Sequence, residues 1–136
     1  MPILSFYKGL RSIFDGYMID DHARFRPASE LKLHFENMSK KLGANFYLKE
    51  DLINWFGYDR LYNTQFGIDI NRAIEFFLLN TDYYPLSANA WDSLGEAYFV
   101  KGENKLALES YKKSLKINPQ NDNAKEKIKT LELLVK

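Results

Sequence analysis

The order of residue types from Trp91 to Pro119 constrains the fold of this chain more than any other feature. It reads Trp91-x-x-Leu94-Gly95-x-x-Tyr98, then Ala107-x-x-x-Tyr111, then Pro119. Trp91, Leu94 and Tyr98 recur at helical spacing and mark one apolar face. Gly95 has no Cβ, so a second helix can lie close against that face. Lys101-Gly102-Glu103-Asn104 is a polar turn. Leu106, Ala107, Tyr111 and Leu115 make the apolar stripe of the next helix, and the small Ala107 again allows close approach. Pro119 ends that helix because it has no backbone N–H to donate.

This pattern resembles the tetratricopeptide (TPR) repeat, a helical hairpin about 34 residues long. Its one departure is Ser114, where the family usually has Ala. Counting back by that period places Ala107 on Ala73, Tyr111 on Phe77 and Pro119 on Pro85. A preceding second helix is therefore expected near 69–84. Its first helix is expected near 50–64, around Leu52, Ile53, Phe56 and Leu61. That half matches poorly at constant period: Gly57 and Arg60 stand where Trp and Leu would, and Gly67 is one residue out of phase with Gly102. Forward, Asp122 to Val135 shows Ala124, Ile128, Leu131 and Leu134 on one side and lysines on the other, as a polar capping helix would.

Two repeats and a cap are fewer than solenoids usually need, so the N-terminal third must add to the core. Ile3, Phe6, Tyr7, Leu10, Ile13, Phe14 and Tyr17 follow a helical stripe. A second helix is expected from about Ser29, as its cap, to Leu42, with Leu31, Phe35, Met38 and Leu42 inward and Gly43 at its end. The expected fold is all-α, with about seven helices: two N-terminal helices in residues 1–48, then TPR-like hairpins and a capping helix in 49–136.

Residues 4–14 are similar to a segment near the end of the catalytic domain in bacterial esterases of the α/β-hydrolase class. Some of those proteins carry a C-terminal extension. Ser29-Glu30-Leu31-x-x-His34-Phe35-x-x-Met38-Ser39-x-x-Leu42-Gly43, Gly57-Tyr58 and the run from Ala88 to Tyr98 resemble it. The resemblance implies the C-terminal part of a hydrolase without its catalytic domain, and none of the family's catalytic positions is present.

The residues themselves argue against chemistry. There is no Gly-x-Ser-x-Gly elbow, phosphate loop or paired-His metal motif. Ser93 lies beside Asp92 without a nearby His in sequence, and a serine nucleophile needs a positioned base. Asp20-Asp21-His22 lacks the further ligands a metal needs and reads as a solvated loop. His34 borders its helix's apolar stripe and reads as a half-buried structural histidine. No catalytic, cofactor or metal site is expected. The net charge of +1 gives no global attraction to nucleic acid, although residues 101–136 are basic and the remainder acidic. No apolar run is long enough to span a membrane, and no signal peptide is recognisable. The absence of cysteine excludes disulfides and thiolate metal sites without identifying the compartment.

The TPR resemblance implies a groove lined by first helices. Carried over, the lining is Trp55, Tyr58, Asp59, Tyr62 and Phe66, then Asn89, Asp92, Ser93, Glu96 and Phe99. This face is aromatic and acidic, and it lacks the Lys, Asn and Arg clamp that some TPR domains use for a peptide carboxylate. Helix 29–42 filling the groove is the competing expectation. The expected function is a non-catalytic interaction module, with a protein or peptide, or its own hydrolase domain in cis, as partner. The alternative is a homodimer built on the stripe of residues 3–17.

Overall fold

The computed structural model describes residues 22–135. The expected helix over 3–17 and the Asp20-Asp21 pair lie outside them. Among the described residues there are six α-helices, a 3-10 turn at Ala23–Phe25 and no strand. The helices are α1 (Ala28–Leu42), α2 (Glu50–Tyr62), α3 (Ile70–Tyr83), α4 (Ala88–Lys101), α5 (Asn104–Ile117) and α6 (Asp122–Leu134). None is long and apolar enough to cross a membrane. The chain divides into two compact units, residues 1–47 and 48–136.

In the first unit, Leu31, Phe35 and Met38 of α1 are buried, as the stripe predicts. Leu42 is not: it is exposed, because it stands in the last turn beside the left-handed Gly43 that stops the helix (φ 66°). The cap also falls two residues earlier than expected, at Pro27 rather than Ser29. Pro27 holds an extended ψ of 137° and no side chain caps the end. His34 is exposed rather than half-buried, its ring edge-on to Phe35. Past the helix end, the Phe46 N–H donates to Ser39 Oγ at 2.7 Å and turns the chain back.

The second unit is a row of antiparallel neighbours, α2 to α6, in which the two first helices α2 and α4 also touch. Leu61, Ala73, Ile74, Phe77, Leu94 and Ala97 form the core of α2, α3 and α4. Ala107, Tyr111, Ala124 and Leu131 form that of α5 and α6. Burying each large apolar side chain contributes about 1.5–3 kcal/mol. Leu106 and Leu134, read as stripe residues, are exposed. Each lies at the margin of its helix's stripe, where the adjoining helix does not reach.

Both hairpins use one device. Gly57, the eighth residue of α2, faces the Phe77 ring, and Phe77 is the eighth residue of α3. Gly95, the eighth residue of α4, faces the ring of Tyr111, again the eighth of α5. Gly57 therefore occupies the glycine place of the first hairpin, and Arg60 the place that Tyr98 holds in the second. The constant period hid this because the turns differ. Seven residues, 63–69, join α2 to α3, but only Gly102 and Glu103 join α4 to α5. The longer turn is ordered by its own bonds. The Asp69 N–H donates to the Arg60 carbonyl at 2.8 Å, and Asn63 Nδ2 to Asp59 Oδ1 at 2.6 Å.

Candidate functional site

The expected groove residues do not all meet. Tyr58 and Tyr62, one turn apart on α2, point to α4 with rings stacked 6.2 Å apart at 13°. The Tyr58 hydroxyl donates to Glu96 Oε2 at 2.8 Å and lies 3.2 Å from Ser93 Oγ. The Tyr62 hydroxyl donates to Glu96 Oε1 at 2.6 Å. One carboxylate thus receives two phenols from the neighbouring first helix. Asp92, one turn earlier on α4, is held from the other side. Asn121 Nδ2 donates to its Oδ1 and Asn123 Nδ2 to its Oδ2, both at 2.8 Å. Phe99 is half-buried against the α5–α6 core, with Lys127 Nζ 5.0 Å over its ring.

The other expected residues are placed apart from this arrangement. Asp59 is turned inward, its side chain 7% exposed, and pairs with the buried Arg60 at 2.8 Å. Trp55 is half-exposed with its ring against Phe56. Phe66 is exposed in the long turn and Asn89 at the start of α4. Ser93 is buried, and residues 48–136 contain no histidine to act as its base. Among the described residues no three His, Cys, Asp or Glu side chains are grouped to hold a metal. A depression of about 510 Å³ lies elsewhere, lined by Leu108, Lys129, Glu132, Leu133 and Val135.

Sequence reasoning missed Asn121, Asn123 and Lys127, which bring α6 into the face. The available signal was Asn121 itself, a helix-capping residue type just before an apolar-periodic segment. It caps α6 by accepting from the Ala124 N–H, and its Nδ2 also donates to Ser114 Oγ at 2.9 Å. Ser114 in turn donates to the Ala88 carbonyl at 2.7 Å. The departure from alanine at Ser114 is therefore a polar tie between α4, α5 and α6.

Burial holds the Asp92 carboxyl above the usual carboxylate range; its two asparagine bonds pull it down, and the Glu96 charge pushes it up. Burial, with the bond to Glu96 and its charge, raises the Tyr62 hydroxyl to about 12. A raised phenol stabilises the fold below its unfolded value near 10, and that contribution is lost as pH climbs through the folded value. Alkaline titration of tyrosinate absorbance should thus show Tyr62 ionising near 12. Glu96→Gln should move that midpoint down towards 10; an unmoved midpoint would mean the bond is not made in solution.

Residues 88–121 match the tetratricopeptide repeat. The matched span runs from the first residue of α4 to the Asn121 cap of α6. No curated protein matches the chain. Tetratricopeptide repeats generally mediate protein–protein interaction, which suggests an interaction module. The α2–α3 hairpin repeats the α4–α5 device outside the matched residues.

Proposed function

We propose that residues 48–136 bind an extended peptide segment of another protein on the face shared by α2, α4 and α6. The observation that carries this is the half-exposed Tyr62, fixed by Glu96 beside Phe99 and Lys127, on the first helices of a unit containing a tetratricopeptide repeat. A rigid aromatic ring with one apolar face and a fixed polar tip is the residue type that dominates interface energy. Retention on an array of diverse peptides tests the reading. Tyr62→Ala or Phe99→Ala should remove most of it, by tenfold or more (about 1.4 kcal/mol). Circular dichroism should show the helices of both variants intact. An array that retains nothing sinks the reading. No relative supports the hydrolase association expected from sequence, and the homodimer draws on residues 3–17, outside the described residues.

A further inference from the structure

We infer that the corner formed by Tyr62, Glu96 and Asp92 receives a cationic side chain, lysine or arginine, of the bound peptide. This rests on the peptide-binding reading above and names the chemistry of its ligand. Asp92 and Glu96 are two like charges one turn apart on α4, and every hydrogen-bond donor they receive is neutral: two phenols and two carboxamides. Among the described residues neither forms an ion pair. The Lys127 charge acts on Asp92, but its ammonium sits over the Phe99 ring and pairs with neither carboxylate. Two partly buried carboxylates with no cation in direct contact repel each other, and a positive group seated on both is the complement they lack.

The neighbours of the pair suit a cation. Tyr62 is 49% exposed, and its ring is backed on one side by Tyr58. Donating its hydroxyl proton to a carboxylate enriches the ring's π-face, which strengthens its attraction for a cation. The Tyr111 hydroxyl is fully buried, has no hydrogen-bond partner, and lies in the field of the same two carboxylates. An acidic or phosphorylated segment would meet repulsion at this corner.

Fluorescence polarisation on the full chain, using labelled peptides of about ten residues, tests this. The sets differ only in carrying Lys or Arg, or Gln at the same positions. The basic set should bind at least about tenfold tighter than the Gln set. That preference should weaken from about 0.05 M to about 0.5 M salt. Glu96→Gln should bring the ratio close to one. Tyr62→Leu should lower it too, and serves as the second variant should Glu96→Gln lose its helical signal. Equal binding of both sets overturns the cationic site and leaves the peptide reading standing. Failure of every peptide to bind overturns both.

Discussion

Gly57→Ala should lower the stability of the second unit by about 2 kcal/mol, and Gly95→Ala should cost much less. A Cβ at position 57 would lie 2.4 Å from Phe77 Cε1 and 2.6 Å from Cζ. The ring cannot retreat: Phe77 is fully buried, edge-on to Tyr58 at 5.1 Å, and part of the core shared by α2, α3 and α4. Overpacking of this kind costs about 1–3 kcal/mol or somewhat more. The gain of about 1 kcal/mol from replacing a helical glycine by alanine offsets only part of it. At Gly95 the new Cβ would meet the Tyr111 ring at 3.0–3.1 Å, a clash that a few tenths of an ångström relieves. There the helix-propensity gain nearly cancels the crowding, leaving a loss of about 1 kcal/mol or less. Thermal unfolding should show Gly57→Ala melting roughly 10 °C below the parent and Gly95→Ala within about 5 °C of it. Equal midpoints for the two variants would show that the helices are not packed as closely at Gly57 as described.

Asn121→Ala should destabilise the same unit by about 2–3 kcal/mol. One side chain there caps α6, donates to the half-buried Asp92 and donates to buried Ser114. Loss of the cap costs about 1 kcal/mol, and the under-bonded carboxylate about as much again. The two parts separate by pH. The Asp92 carboxyl already titrates above 3.8 in the fold, chiefly through burial, and the Asn121 bond opposes that rise. Removing the bond pushes it further up. A group with a raised folded value binds its proton more tightly folded than unfolded, so stability falls as pH rises from the unfolded value through the folded one. The Asn121→Ala deficit should therefore be larger at pH 7 than well below the Asp92 midpoint. Carbon-13 NMR of the Asp92 carboxyl should show the upward shift. Asn121→Ser, which keeps a capping oxygen but not the Nδ2 bonds to Asp92 and Ser114, should retain the cap's share and lose the rest, including all of the pH-dependent part. A deficit unchanged with pH would assign the whole effect to the cap and the Ser114 bond.

The second hairpin and the capping helix were readable because their signals are local. Gly102, Pro119 and the stripes of Trp91, Leu94, Ala107 and Tyr111 act within a few residues of one another. The α3 helix was readable by period, since Ala73 and Phe77 stand in register with Ala107 and Tyr111. The register of α2 was not. The extra residues of the 63–69 turn displace Gly57 from the place that constant counting gives it, and turn length leaves no mark on a helical stripe. Leu42, Leu106 and Leu134 show a related limit. Helical periodicity says which face a side chain shares, but only the position of the neighbouring helix says whether that face is covered there.

The same division holds for the candidate site. By itself the sequence determined an all-helical chain with a tetratricopeptide repeat at its best-formed hairpin, because spacing, small residues and proline act along the chain. It also determined that the first helices carry aromatic and acidic residues. Only the tertiary structure decided which of these meet. Asp59 turns inward to Arg60, Tyr58 and Tyr62 converge on Glu96, and Asn121 and Asn123 reach back to Asp92. The bonds to Glu96 and Asp92 join residues some thirty or more positions apart, and their geometry depends on how far one helix stands from the next.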